Sequence, residues 1–121
     1  MNYKKNVFET FNDGIVEIYR LKDVSQPGFH PDLRPELLKK FHFKYKTIGV
    51  KRAYEAMQSH VRLDEMISIP NDRNISTQDI CRINGIVYEI KQIQHKTDTR
   101  PATTLLSLTR TECSYEFTLN P

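Results

Sequence analysis

One dipeptide, Asn84-Gly85, constrains this chain more than any other pair of its residues. A two-residue turn between antiparallel strands needs positive φ at both central positions, and Asn-Gly supplies them at least steric cost. Ile80–Ile83 precede the pair and Ile86–Ile93 follow it, so the segment predicts a tight hairpin. A polar loop with Arg100-Pro101 comes next, and then a β-rich run, Thr104–Thr111. The expectation is a three-stranded antiparallel meander and a mostly β class.

At 121 residues the chain has room for one domain with one modest core. Its 38% hydrophobic and 27% charged residues, with no tryptophan, predict a thin core and much polar surface. A net charge of +3 is too small to nominate nucleic acid alone. Two cysteines, Cys81 and Cys113, are too few for a secreted disulfide framework and predict free thiols in a reducing compartment. No apolar run is long enough to cross a bilayer. The first residues, Met1–Phe8, lack a signal-peptide core, so the expectation is a soluble protein made in the cytoplasm.

Elsewhere the periodicity alternates between strand and helix. Gly14–Leu21 is rich in β-formers and predicts a first strand. Residues 22–40 predict a long, proline-rich connection, in which Asp32 could cap a short helix using Leu33, Leu37 and Leu38, with Pro35 in its first turn. Phe41–Ile48 predicts a strand with Phe41, Phe43 and Tyr45 on a core face and His42, Lys44 and Lys46 on a basic one. Residues 50–61 switch to helical spacing, with Val50, Ala53, Tyr54, Met57 and Val61 on one stripe and Lys51, Arg52, Glu55 and Gln58 opposite. Residues 62–70 return to strand with Ile67 and Ile69 inward, then residues 71–79 turn twice. Ile93 is out of phase with Ile86, Tyr88 and Ile90, which predicts a bulge near Gln92. The tail carries Tyr115, Phe117 and Leu119 in β-like alternation; it could be a last strand or a strand added to a neighbour's sheet.

These elements predict a mostly β fold: a small antiparallel β-barrel of about six strands, with one short α-helix over an opening and long connecting loops. The single domain would hold a barrel core over about 14–112, an N-terminal arm 1–13 and a C-terminal tail 113–121.

The patterns of catalysis and cofactor binding are not found. His30, His42, His60 and His95 have no paired metal-ligand spacing with each other or with the cysteines. The glycines are single, without a phosphate-cradling loop, and no nucleophile has a local signature. Asp64 and Glu65 are adjacent, so on a strand they point opposite ways. The expectation is no enzyme, no cofactor and no metal, although a spatial triad involving His42 or His95 stays open. One concentration of charge stands out: Lys39, Lys40, Lys44, Lys46, Lys51 and Arg52, with no acid among them. It is a solvated basic face or a contact for phosphates or an acidic partner, so a stand-alone nucleic-acid-binding barrel is the alternative function.

Three runs, Tyr45–Ala56, Ile75–Ile80 continued by Ile83–Ile90 with its Asn-Gly-x-x-Tyr-x-Ile pattern, and Asp98–Pro101 followed by Leu105–Arg110, together resemble phage head closure proteins, the head–tail connectors of long-tailed phages. The resemblance covers about 14–112. It implies a structural subunit of the virion that forms a homo-oligomeric ring below the portal. Its partners would be a portal or adaptor protein and a tail-terminator protein, with packaged DNA passing through the channel without sequence-specific contact. It also implies that the connection Gly49–Arg62 faces that channel, with Lys51, Arg52 and Glu55 as candidate lumen residues; the candidate basic surface, Lys39, Lys40, Lys44 and Lys46, comes from the charge run itself. The long connection 22–40 and the tail past Glu112 have no counterpart in the resemblance.

Overall fold

The computed structural model describes residues 7–59 and 62–111, together with Tyr115 and Phe117. Six antiparallel strands close a barrel in the order β2 (Gly14–Asp23), β3 (Leu33–Lys46), β4 (Glu65–Pro70), β8 (Thr103–Arg110), β6 (Ile86–Lys96) and β5 (Ile80–Ile83). A two-residue β1 (Val7–Phe8) pairs in parallel with β7 (Thr99–Arg100), and α1 (Val50–Gln58) is the one helix among the described residues. The barrel and its single short helix agree with the fold class expected from the sequence.

The hairpin at Asn84-Gly85 forms as its chemistry requires. Asn84 has φ 51° and Gly85 φ 80°, the positive pair of a primed turn, with Ile83 opposite Ile86. In β6 the register slips between Ile90 and Gln92, leaving Lys91 as the extra residue. That bulge sets Ile93 opposite Leu106 and packs it against the core, as its phase demanded.

Alternate residues of each strand fill the barrel. Val16, Ile18, Phe43, Ile67, Ile69, Ile90, Leu106 and Leu108 are buried almost completely. Because successive residues of a strand point to opposite faces and opposite residues share one, the sequence neighbours of these residues define an outer wall. In β4 and β8 that wall is buried too: Met66, Ser68, Leu105 and Ser107 are shut off from solvent on the face opposite Ile67 and Leu106. A one-faced barrel would have left these polar and alternate; here the chain outside the barrel covers them.

Three expectations need correction. Residues 33–38 are strand, not helix: β2 pairs with β3 from Gly14 opposite Phe43 to Asp23 opposite Leu33, and the connection shrinks to residues 24–32. Pro35 disfavours helical φ/ψ at Arg34 and fits a strand edge, so extended pairing outweighs one possible cap. The helix covers a wall rather than an opening. One opening is closed instead by residues 71–79, where Ile75 enters the core and Asp79 anchors the loop. Tyr45, expected inside, is 39% exposed and only edges onto Phe43 at 4.9 Å. It lies one residue from the strand's end, where the wall has run out.

Candidate assembly surfaces

The basic run Lys39–Arg52 is largely answered by the protein's own groups. Lys39 reaches Asp72 at 3.4 Å and lies over the Phe41 ring at 5.0 Å. Lys40 faces Glu17 at 3.9 Å, and Lys46 pairs with Glu9 at 2.7 Å. Lys44 and Lys51 have no ion-pair partner among the described residues. Fourteen positions of sequence without an acid therefore gave a misleading impression: the acids arrive from β2, the arm and the 71–79 loop.

The candidate lumen residues separate. Lys51 and Glu55 are exposed, whereas Arg52 is drawn onto the wall. Its guanidinium donates to Ser107 Oγ at 2.9 Å and Gln94 Oε1 at 2.6 Å, and it contacts Met66 Sδ at 3.2 Å. Arg52 was expected on the polar side of the helix, yet it anchors the helix to β4, β6 and β8. Ala56 is buried beside it in the helix, while Tyr54 and Met57 of the expected apolar stripe are 62% and 74% exposed. An open cleft of about 440 Å³ lies between Gly49, Lys51, Arg52 and Glu55 on one side and Gln94, Lys96 and Leu105 on the other. His60 and Val61, the end of the expected 49–62 connection, lie outside the described residues.

The sites expected to be chemically quiet have the following surroundings. Cys81 is fully buried, and burial pushes its thiol far up; Cys113 lies outside the described residues. His95 Nδ1 lies 2.9 Å from Thr104 Oγ1 and 3.1 Å from Asn71 Oδ1. Thr104 is itself buried and donates to Asn71, so this group ties the 71–79 loop to β8. His42 sits opposite Ile15 on the outer face. Among the described residues no three His, Cys, Asp or Glu come together as metal ligands. No helix among them is long and apolar enough to cross a membrane.

The surface missed by sequence reasoning is the β2–β3 ribbon. Among the described residues, β2 beyond Tyr19 has no second strand beside it, since β5 pairs with Glu17–Tyr19. Among them β3 before Lys44 has none either, since β4 pairs with Lys44–Lys46. This outer part of the hairpin carries Val24, Phe29, Leu33, Leu37 and Leu38 at 37–71% exposure. Leu33, Pro35 and Leu37 alternate at period two, a signal that the helical spacing of Leu33, Leu37 and Leu38 masked.

A second missed cluster lies on the wall where β2 meets β5. Arg82 donates to Glu17 Oε1 at 3.0 Å through Nε and to the Tyr19 hydroxyl at 3.0 Å through Nη2. Tyr19 in turn donates to Glu17. Desolvation, then the bond to Glu17, hold the Tyr19 phenol above its ordinary pKa. Phe117 of the tail packs edge-on to Tyr19 with ring centres 4.8 Å apart, and the Arg82 guanidinium lies 4.5 Å from the Phe117 ring. The remaining tail positions, Leu119 among them, lie outside the described residues.

Compared with known proteins, the chain matches no family model and no curated protein.

Proposed function

We propose that this protein is a non-enzymatic assembly subunit of a virion, which joins head to tail as one member of a ring below the portal. The observation that carries this reading is the apolar surface of the outer β2–β3 ribbon, with Leu33, Leu37 and Leu38 exposed and no third strand paired to it among the described residues. A two-stranded ribbon is marginal in water by itself, and an apolar free edge is an aggregation hazard unless a partner covers it. The resemblance of Tyr45–Ala56 and Ile83–Ile90 to head closure proteins names the kind of partner: neighbouring subunits, a portal or adaptor, and a tail terminator. The channel role of Lys51, Arg52 and Glu55 belongs to the same reading. Of these, Lys51 and Glu55 have the exposure it needs, whereas Arg52 is engaged with Ser107 and Gln94.

The nucleic-acid alternative gains little, because Lys39, Lys40 and Lys46 already face carboxylates of the chain itself.

The test is incorporation. Purified protein mixed with portal-bearing heads should co-sediment with them and restore tail joining to heads that lack it. Leu37→Asp should melt near the parent temperature yet fail to co-sediment. Heads that join tails without the protein, or that never bind it, overturn the reading.

A further inference from the structure

The outer wall of β2 and β5 holds a receptor for an aromatic side chain that is built from strand residues alone. Its parts are Glu17 and Tyr19 from β2 and Arg82 from β5. Arg82 is fixed from one side by Glu17, with a closest approach of 2.9 Å, and by the Tyr19 hydroxyl. Its guanidinium face is left for the ring of Phe117, at 4.5 Å, while Tyr19 meets the same ring edge-on. A cation over one side of a ring and an aromatic edge beside it is an arrangement that selects an aromatic residue.

Tyr19 and Ile80 sit opposite each other on this wall, away from the core, yet are only 4% and 2% exposed. Tyr115 lies beside Ile80 and Leu21 in a cleft of about 270 Å³ that also includes Lys91. The tail therefore meets the wall at two aromatic positions spaced i, i+2, as an extended strand would.

The apolar wall does not end with the tail. Tyr19 pairs with Leu37, Leu21 with Pro35 and Asp23 with Leu33, so Leu33, Pro35 and Leu37 continue the same face along the ribbon.

We infer that the Tyr19–Arg82 clamp is an exchange site: in the assembled ring it holds Phe117 of a second copy of this chain. This inference rests on the assembly reading above. Each copy supplies one clamp and one tail, so moving a tail from its own clamp to a neighbour's preserves every contact of Tyr115 and Phe117. Exchange of an identical element is a low-cost route to association for that reason. In the dilute chain the tail occupies its own clamp and keeps the wall covered. In the ring, the neighbour's ribbon and wall are held close, and the local concentration of the second tail decides the exchange.

The experiment places photoreactive benzoylphenylalanine at Phe117, an aromatic for an aromatic, in copies labelled with ¹⁴N or ¹⁵N and mixed in equal amounts. Incorporation into portal-bearing heads is read by sedimentation, independently of any crosslink. Irradiated dilute protein should give crosslinks within one copy, mapping to Glu17–Tyr19 or Ile80–Ile83. Irradiated particles should give the same peptide pairs with mixed labels at their statistical share. Particles that contain the protein but give only same-label pairs overturn the exchange and leave the assembly reading standing. Protein absent from the particles overturns both. If the probe at position 117 blocks incorporation that the parent chain achieves, the same probe at Tyr115 gives the same readout.

Discussion

Asp79→Ala should cost far more stability than Arg20→Ala, although the two residues form one ion pair. Asp79 is 1% exposed, and its carboxylate accepts from Arg20 Nε at 3.0 Å, from Arg20 Nη2 at 3.2 Å and from the Ser76 backbone N–H at 2.8 Å. Arg20 has a side chain 50% exposed. Without Asp79, Arg20 keeps the Asn74 carbonyl and turns its other N–H groups to water, and a half-exposed pair is worth less than about 1 kcal/mol. The part-buried Ser76 N–H loses its acceptor, and stranding such a donor costs about 1–3 kcal/mol. The sum is about 1–4 kcal/mol, because the carboxylate serves the loop's backbone first and the arginine second. For a domain of this size that corresponds to a fall in Tm of roughly 5–20 °C. Arg20→Ala should cost less, because the half-exposed side chain it removes leaves a path for water to the Asp79 carboxylate, and Asp79→Asn should fall between the two. Urea unfolding followed by far-UV circular dichroism, with unchanged m-values, measures all three. Equal costs for Asp79→Ala and Arg20→Ala would mean that the ion pair, not the loop bond, holds this end of the barrel.

Gly14 has φ +144°, and a Cβ there would lie 3.2 Å from Phe43 Cε1, so Gly14→Ala should destabilise by about 1–3 kcal/mol in the same assay; a neutral result would show that β2 can shift at its start. In a Cys113→Ser background, Cys81 should resist iodoacetamide in native buffer and react on unfolding, since burial raises its thiol well above the usual value; rapid native labelling would refute its burial. Desolvation, as the first cause in each case, raises the phenols of Tyr19, Tyr45 and Tyr88 above 10.0. A raised pKa means the folded chain keeps protons that the unfolded chain loses, so stability is intact below pH 10.0 and falls as pH climbs through the folded values. Phenolate absorbance at high pH should therefore appear together with loss of structure; full titration of a chain that stays folded refutes the linkage.

Much of the fold was legible because local rules and tertiary structure agree. The Asn84-Gly85 turn, the Lys91 bulge and the inward Ile67 and Ile69 all follow from spacing alone. The ribbon was illegible because Asp32, Leu33, Leu37 and Leu38 fit a capped helix as well as a strand, and only pairing with β2 decides between them. The partners of the lysines were hidden for a similar reason: Glu9, Glu17 and Asp72 are remote in sequence from Lys46, Lys40 and Lys39. The Arg82–Tyr19–Phe117 cluster left no local trace either, since a cation between two distant aromatics has no period. Its one hint was the tail's aromatic alternation, which says that the tail packs without saying on what.

The barrel can also be regarded as a four-stranded sheet, β4-β8-β6-β5, closed by one long hairpin. Among the described residues, its strands pair with the sheet through Glu17–Tyr19 on one side and Lys44–Lys46 on the other. Both seams lie near its root, and its outer half reaches beyond them. Such an element is a lever with two short hinges at its base. A pull on the tip at residues 24–32 is delivered to Tyr19 and Lys46, the residues that also receive the tail and the arm. Whatever grips the ribbon thus acts mechanically on the two places where the termini are fastened.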